Sequence, residues 1–469
     1  MRYCNERSFR SQLEFLRRQF LLDGDFAFAD ILSRETVNQA LDTIEIAWNE
    51  RIYTPLVTLW IFVGQVISAD HSCRSAVARF VAHRVARGEA ACSSHTGAYC
   101  QARKRLPEKF FATVTQLVGR TLESKVKENW LWNGHRVLMF DGSSISMPDT
   151  EANQAEYPQT WKSKPGAGFP FARIGIPASL SCGAVLDMTL SSYTGKGTGE
   201  VSLLRRMWGI IQKGDVLLAD SLMCNWRNLY ELSERGITVV TRLNKALRKA
   251  DFRLGTRLGH EDHLVQWPKK HIRDVGRAAQ RAMPRFLTVR EVRFRVERPG
   301  FRSRKIVVVT TLLDPLKYSK DDLAKLYRDR WNQELDLRSI KTTMQMDVLR
   351  CKTPDLVRKE VWTHLLAYNL IRTIMAQAAE TFEIAPRTIS FKGTMQILEV
   401  FQPLIASTAK AHRSFVEIRD ELLSAVAAHR VGNRADRIEP RKKKRRRMPY
   451  DLLMKPRAEA KLELLKGVR

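Results

Sequence analysis

The chain has 469 residues and is strongly basic, since 79 Lys and Arg against 50 Asp and Glu give a net charge of +29. This length exceeds one ordinary hydrophobic core, so we expect roughly two to four domains. Apolar residues make up 44% of the chain and charged residues 28%, which is normal for a soluble globular protein. The usual partner of so basic a surface is a polyanion, most often nucleic acid. The alternatives are a basic surface that is merely solvated, and association with ribosomes or membranes.

The cysteines and the apolar segments favour a cytoplasmic protein with no membrane partner. The seven cysteines are scattered and form no Cys-x-x-Cys pair, which fits a reducing compartment and argues against a zinc ribbon. The first 20 residues contain no apolar core of a signal peptide. The longest apolar run, residues 56–67, is too short to span a bilayer and predicts a core helix.

The segment up to about residue 130 has the apolar periodicity of helices. A polar break at residues 93–97 separates them from a short basic stretch, 98–107, and a further helix, 109–122. Short helices joined by tight polar turns, one of them rich in Arg and Lys, are compatible with a DNA-binding helical domain. Spacing alone does not distinguish this from a plain helical bundle.

From residue 131 the pattern becomes the succession of strands and helices of an α/β protein. Two short apolar runs, 136–140 and 216–219, predict strands that end at Asp141 and Asp220. Between them, an antiparallel strand pair is expected to turn at Gly183.

Residues 243–304 interrupt this pattern, because they are strongly basic and contain several Gly and Pro. Within them, residues 286–297 alternate apolar and charged side chains, which predicts a strand with one face in solvent. A buried strand at 305–313 then resumes the core, and helices follow to about residue 429. The basic tail, 434–447, predicts either a phosphate-binding or a solubilising end.

One predicted helix carries an unusual set of side chains. With about 100° per residue, Arg330, Lys341 and Glu334 fall within about 60° of Tyr327 around the helix. A phenol, two cations and a carboxylate therefore share one narrow face. An apolar stripe beside this face, on which the helix would pack, consists of Leu326, Leu337, Ile340 and Met344.

Three carboxylates can converge from these elements. Asp141 and Asp220 follow strands, where ligands commonly bind at the rim of a sheet, and Glu334 comes from the helix. Hard oxygen ligands suit Mg²⁺ or Mn²⁺, and two such ions promote phosphoryl displacement. Each residue also has an ordinary interpretation: the aspartates as turn or N-cap residues, and Glu334 as an ion-pair partner of a helical arginine.

The set Tyr327, Arg330, Glu334 and Lys341, in the pattern Tyr-x2-Arg-x3-Glu-x6-Lys, resembles the signature of bacterial insertion-sequence transposases of the Asp-Asp-Glu class, in the insertion-sequence-four group. Other stretches resemble the same group along essentially the whole chain, at residues 96–103, 140–143, 217–221 and in the basic ending followed by residues 449–453.

The resemblance implies an α/β fold with a ribonuclease-H-like catalytic core and a β-rich insertion between the second Asp and the Glu. The separations of 79 residues (220 − 141) and 114 residues (334 − 220) leave room for that insertion. The expected division is an N-terminal helical domain for DNA ends, the first part of the core, the basic insertion, the second part of the core, and C-terminal helices with the basic tail: residues 1–130, 131–242, 243–304, 305–385 and 386–469.

The resemblance also implies the chemistry. Asp141, Asp220 and Glu334 would hold two Mg²⁺ or Mn²⁺ ions, water would nick the element's end, and the freed 3′-OH would attack. In the better-known members that attack first makes a hairpin, which reopens before the 3′-OH attacks target DNA. The implied partners are double-stranded DNA, as terminal inverted repeats and target, and a second protomer, in a bacterial cytoplasm beside the nucleoid.

The remaining residues of the signature would contact the transposon end. Tyr327, Arg330 and Lys341 would bind phosphates. Trp331 would help to position a flipped base, and its ordinary interpretation is a packed core aromatic. Trp267 is the only tryptophan in residues 243–304, but no motif assigns it to the site.

Two other functions compete with an active transposase. One is an inactive or domesticated DNA-binding descendant, against which the intact acidic triad argues. The other is a stand-alone structure-selective nuclease with the same core.

Overall fold

The computed structural model describes residues 6–18, 20, 29–45, 51–86, 88–161, 164–272, 275–296, 304–407, 412–432 and 454–466. Six helices precede a single mixed sheet in this part of the chain: α1 Glu6–Arg18, α2 Arg34–Leu41, α3 Pro55–Ile67, α4 Cys73–Ala86, α5 Gly97–Arg105 and α6 Glu108–Ser124. Four more lie between strands: α7 Glu151–Glu156, α8 Glu200–Arg206, α9 Trp226–Glu234 and α10 Arg277–Ala282. The others follow the sheet: α11 Lys320–Asp329, α12 Trp331–Arg338, α13 Pro354–Thr381, α14 Phe391–Ser407, α15 His412–Ala428 and α16 Arg457–Leu465.

The sheet has nine strands in the order β3-β2-β1-β4-β5-β9-β8-β7-β6. Strands β1, β4 and β5 are parallel, while all other neighbours are antiparallel. The half that runs from β3 to β5 is a ribonuclease-H-like core, as the resemblance implied. The strand bounds are β1 Val137–Ser146, β2 Phe171–Ser179, β3 Thr189–Ser192, β4 Val216–Ala219, β5 Thr238–Arg242, β6 Thr256–Gly259, β7 Asp262–Pro268, β8 Phe286–Val296 and β9 Arg304–Thr310.

Where β1 pairs with β4, the two faces of the sheet bury separate apolar clusters. Along β1, Val137 and Met139 pack into the smaller cluster with α11, whereas Leu138 and Phe140 pack into the larger one. This follows from the alternation of side chains along a strand. All four residues of β4 are buried, as expected for a short parallel strand covered on both faces.

The larger cluster also contains the N-terminal helices and α13. Helix α6 approaches the connection after β2 so closely that a Cβ on Gly119 would lie 2.2 Å from the carbonyl oxygen of Val185. The side chain of Asn369 on α13 bonds both the N–H and the carbonyl of Val185, at 2.8 Å each. One apolar core therefore extends across residue 130, while the domain boundaries drawn from the sequence stay predictions.

The prediction of an insertion needs one correction. Strands β6 to β8 continue the core sheet, because β9 pairs with both β5 and β8. The middle of β8 is also buried, so the expected solvent-facing strand is wrong. Its charges are tolerated there because Arg290 forms two hydrogen bonds with Asp262, at 2.5 and 2.8 Å, and Glu291 accepts one from Trp267, at 2.8 Å.

Several other sequence predictions can be compared directly with the described residues. The turn at Gly183 is present, with a φ of +82° that favours glycine. The predicted core helix at 56–67 is α3. The basic tail at 434–447 lies outside the described residues. In the described ranges, no helix combines the length and the apolar character that crossing a bilayer requires.

We predict that Arg290→Met destabilises the protein by about 3–5 kcal/mol, because it leaves the buried Asp262 carboxylate without its cation. Arg290 is fully buried, and its Nη1 also donates to the carbonyl of Tyr318 at 2.7 Å. The measurement is urea unfolding, with Arg295→Met on the exposed side of the same strand as control. Equal midpoints for the two variants would contradict the prediction.

Candidate active site

The first two aspartates lie on neighbouring parallel strands. Asp220 directly follows the last residue of β4, as predicted. Strand β1 does not end at Asp141 but continues to Ser146, so that part of the prediction is wrong. The pairing of β1 with β4 nevertheless stops one residue earlier, at Phe140 and Ala219. Asp141 therefore lies where the edge of β1 is no longer covered by β4.

Side-chain alternation brings the two carboxylates to the same side of the sheet. Asp141 lies two residues beyond Met139, and Asp220 two beyond Leu218, and both of these apolar residues face the cluster beneath α11. One oxygen of each aspartate accepts a main-chain N–H, from Gly142 at 2.8 Å and from Leu222 at 2.7 Å. The turn-forming role that the sequence left open is present at Asp220, whereas Asp141 lies within β1 and forms no turn. Both bonds restrain the carboxylates.

The pKa of Asp141 is raised from 3.8 to about 6. Burial is the main cause, and the neighbouring carboxylates of Glu200 and Asp220 raise it further. The Gly142 N–H and the Arg330 guanidinium act in the opposite direction. Asp141 therefore lies near other negative charges, and the Gly142 N–H and Arg330 compensate its charge only in part.

Glu200 is a further carboxylate near this edge of the sheet, on the opposite face of β1 from Asp141, and sequence reasoning missed it. It is the first residue of α8, and its side chain lies over Gly142, where a Cβ would be 2.4 Å from the Glu200 Cγ and 2.8 Å from its Oε1. Its pKa is raised, first by burial and then by Asp220, while Arg173 lowers it. The one signal in the sequence was Gly142 itself, since a glycine next to Asp141 leaves room for another group.

The predicted helix through residues 327–341 is interrupted. Helix α11 ends at Asp329, α12 begins at Trp331, and a π-helical turn follows at Ser339–Thr343. The apolar stripe is divided accordingly, because Leu326 packs in the smaller cluster and the other three residues in the larger one.

The shared face survives this interruption. The Arg330 guanidinium forms an ion pair with Glu334 at 2.8 Å and lies 5.8 Å from the centre of the Tyr327 ring. Because Arg330 also lowers the pKa of Asp141, a single cation faces both Glu334 and the β1 aspartate. The ion pair that the sequence offered as the ordinary role of Glu334 therefore exists.

Two buried contacts fix α12 against the sheet. Gln333, next to Glu334, donates to the carbonyl of Ile176 at 2.9 Å, and Ile176 is the register partner of Asp141. Asp336 is buried between Arg372 at 2.5 Å and Arg387 at 2.7 Å. Sequence reasoning identified neither contact, because the partners of Asp336 are more than 30 residues away along the chain.

Lys341 reaches the same strand as Asp141. Its ammonium group donates to the Ser143 hydroxyl at 3.0 Å, and burial lowers its pKa. Since Ser143 lies two residues after Asp141, the two side chains point to the same side of β1. Lys341 therefore lies on the same side of β1 as Asp141, at the position of Ser143.

The aromatic residues separate into exposed and buried ones. Trp331 is 39% exposed, so its alternative role as a packed core residue is wrong. Tyr327 is buried, which raises the pKa of its phenol. Trp267 is also buried and donates its indole N–H to Glu291, so it belongs to the core of the extended sheet.

A basic cavity of about 640 Å³ adjoins the second aspartate. Its lining includes Ser221, directly after Asp220, together with Arg242, Lys245 and Lys305. Arg242 donates to the Ser221 hydroxyl at 3.3 Å. Positive charge therefore borders the carboxylates on the side towards β5 and β9.

The carboxylates have the oxygen chemistry that a divalent cation prefers, but in this structure they are not gathered into a ligand set. Asp141, Asp220 and Glu200 offer hard oxygen ligands whose mutual repulsion and burial raise the pKa of two of them. Within the described ranges, no three His, Cys, Asp or Glu side chains stand close enough together to hold a metal ion. Glu334 is instead held by Arg330, so it would have to exchange that partner to join the aspartates.

We predict that metal-free wild-type protein loses stability relative to Asp141→Asn as the pH rises from about 4 to about 6. A raised carboxyl pKa means that the native state binds more protons than the unfolded state in this window, so the free energy of unfolding falls with pH. The difference amounts to up to about 3 kcal/mol, from about two pKa units at 1.36 kcal/mol each. Urea unfolding in a chelator at pH 4.5 and pH 7 measures it. Parallel pH profiles for the two proteins would refute it.

A ribonuclease-H-like sheet with aspartates at β1 and β4 and a glutamate on the later helix defines the Asp-Asp-Glu class of transposase domain. Residues 132–370, which are 239 of the 469 residues, match the family described as Transposase DDE domain, and the chain belongs to that family. This confirms the family resemblance seen in the sequence.

The relatives are insertion-sequence proteins of Escherichia coli. The chain is 24% identical over 460 residues to the transposase InsG of insertion sequence element IS4 from strain K12, covering 94% of this chain and 95% of that protein. It is also 36% identical over 69 residues to the transposase of insertion sequence element IS421, covering 15% of this chain and 19% of that protein.

Among solved structures, a piggyBac transposase synaptic complex with hairpin DNA is similar to this chain. The TM-score is 0.41 at 9% identity, and the match covers 88% of this chain and 85% of that one.

Proposed function

We propose that the protein is a DNA transposase that cleaves the ends of its own insertion sequence and joins them to target DNA. The observation that carries this proposal is the placement of Asp141 and Asp220 on one side of the sheet, with Glu334 facing the same Arg330 cation that acts on Asp141. Family membership supports the reaction class.

Asp141, Asp220 and Glu334 would hold two Mg²⁺ or Mn²⁺ ions. When bound, such ions activate an attacking oxygen and stabilise the leaving one in an in-line displacement. The protein contributes position: main-chain N–H groups fix the two aspartates, while Gln333 holds the helix of Glu334 on the strand opposite Asp141.

The cations around the carboxylates would bind the DNA backbone. Arg330 is paired with Glu334, and Lys341 bonds Ser143 on the same side of β1 as Asp141. We propose that these two cations hold the phosphate next to the cleaved bond, with Tyr327 supporting Arg330 through its ring. Trp331 is exposed at the first turn of α12, which suits stacking on a displaced base.

The family resemblance supports the sequence of steps that we propose. Water nicks the element's end, and the freed 3′-OH then attacks either the opposite strand, giving a hairpin that reopens, or target DNA directly. The partners are terminal inverted repeats, target DNA and a second copy of the chain, in a bacterial cytoplasm beside the nucleoid. Short inverted repeats flanking the reading frame would favour this function over an inactive descendant or a stand-alone nuclease.

We predict that Asp141→Asn, Asp220→Asn and Glu334→Gln each abolish strand cleavage while end binding survives, because each change removes a ligand charge and retains the side-chain shape. The assay incubates purified protein with a duplex taken from the flank of its own reading frame and Mg²⁺, and resolves nicked, hairpin and joined strands on a denaturing gel. Binding is measured in parallel with Ca²⁺. The control is Asp187→Asn, which changes a partly buried carboxylate outside the candidate site.

Near-normal cleavage by any one of the three variants would remove that residue from the triad. Loss of both binding and cleavage in all three, with the control intact, would instead assign these carboxylates to structure.

We predict that Lys341→Ala weakens end binding and reduces the salt dependence of the binding constant by about one phosphate contact. The physical reason is the loss of one cation on the side of β1 that carries Asp141. The matched control is Lys325→Ala, which removes an exposed cation from α11. Binding titrations at several salt concentrations give the slopes, and an unchanged slope for Lys341→Ala would exclude it as a phosphate contact.

A further inference from the structure

A buried arginine lies far from the carboxylates, among the N-terminal helices. Arg103 on α5 is 5% exposed, and its guanidinium lies 4.7 Å from the ring centres of both Phe62 and Tyr99. Its Nη2 donates to the sulfurs of Cys73 at 3.3 Å and Cys100 at 3.6 Å. The two sulfurs therefore meet at one guanidinium nitrogen.

The other contacts of this guanidinium supply no formal negative charge. Nη1 donates to the amide oxygen of Gln65 at 3.4 Å, and Nε has no hydrogen-bond partner among the described residues. Glu360 influences Arg103 electrostatically, but its oxygens accept the main-chain N–H groups of Arg350 and Cys351. A buried cation is costly without an anion. A thiolate is the anion that this cluster can provide.

We propose that Cys73 and Cys100 form a redox-active thiol pair, activated by Arg103, that a hydroperoxide oxidises to a disulfide. The two sulfurs belong to the first residue of α4 and the first turn of α5, and both side chains are only partly buried, so a small oxidant can reach them. This pair is independent of the carboxylate site.

The protonation of the pair matches these roles. Contact with Cys73, and then the Arg103 charge, lower the pKa of Cys100 to about 5, against the effect of burial. Contact with Cys100 raises the pKa of Cys73. The other titratable groups that face the pair are Tyr99 and Cys351. Tyr53 adds a further one beside Cys100. At neutral pH, Cys100 is therefore the nucleophilic thiolate and Cys73 the thiol that resolves it.

The reaction balances with the hydroperoxide as the sole oxidant. The Cys100 thiolate attacks the terminal peroxide oxygen, so that an S–O bond forms, the O–O bond breaks, and the alkoxide or hydroxide takes a proton from solvent. The Cys73 sulfur then attacks the sulfenic sulfur of Cys100. The S–S bond forms, the S–O bond breaks, and the hydroxyl leaves with the Cys73 proton as water.

Oxidation would change a junction of the fold. Cys351 lies in the connection between the π-helical turn and α13, and its electrostatic effect on Arg103 places it beside the pair. Disulfide formation removes the anion opposite a buried guanidinium, at the point where α4 and α5 meet the segment that follows the Glu334 helix.

The first test maps disulfides in the full-length protein. Reduced protein is treated with a small excess of hydrogen peroxide, the remaining thiols are alkylated, and the digest is analysed without reductant by mass spectrometry. We expect a peptide linking Cys73 to Cys100, which is lost in Cys73→Ser and kept in Cys92→Ser. The absence of this link, or a link of Cys100 to Cys92 instead, would overturn the proposal.

The second test measures how fast iodoacetamide alkylates Cys100 as a function of pH, read by mass spectrometry on the reduced protein. We expect a midpoint near 5 in the wild type, and at pH 7 a rate at least about tenfold above that of Arg103→Met. Arg103→Lys should restore most of the rate, because it keeps the charge, and Arg105→Gln on the same helix should change nothing. A wild-type midpoint near 9, the ordinary value for a thiol, would refute the activation by Arg103.

Discussion

Electrostatic repulsion among partly buried carboxylates is the constraint around which the candidate site is arranged. Asp141, Asp220 and Glu200 come from three separate elements, and burial and mutual charge raise the pKa of Asp141 and Glu200. Such a group is unfavourable unless a cation is near. Arg330 partly supplies that cation, and it does so while bound to Glu334. Repulsion among these side chains lowers stability, whereas the proposed chemistry requires them to lie close together. Such a conflict is common where ionisable groups are gathered for function.

The remainder of the fold holds these groups in place. Parallel pairing of β1 with β4 aligns the two aspartates, and the closely packed α6, α13 and β2 region supports the strand from the other face. Helix α12 has little apolar area of its own, so polar contacts fix it: Gln333 on the β2 main chain and Asp336 between two arginines. A buried carboxylate bound by two guanidinium groups tolerates little displacement, because each partner lost would leave a buried charge uncompensated.

The sequence predicted the elements that local pattern determines. Strand β4 and the core helix α3 follow from apolar runs, and Asp220 and Glu334 from position and spacing. What escaped prediction depends on partners distant in the chain. Arg290 belongs to a run in which charged and apolar residues alternate, a pattern typical of a strand with one face in solvent. In the structure Arg290 lies in the interior, where Asp262 compensates its charge. Glu200 reaches its position only when α8 folds over Gly142. Cys73 and Cys100 are distant in the sequence and come together only around Arg103. The break at Arg330 likewise reflects packing on two faces of the sheet.

The strand order has a consequence for how the molecule is made. Strand β9 lies between β5 and β8 and ends at Thr310. The sheet therefore cannot be completed until about two-thirds of the 469 residues have left the ribosome. Before that point β5 exposes an unpaired edge, and such edges invite pairing with other chains. Arg330 and Glu334 emerge later still, so a nascent chain holds its aspartates together before the compensating cation exists. Long-range pairing of this kind slows folding, so the β5 edge stays unpaired for longer than a local pairing would leave it.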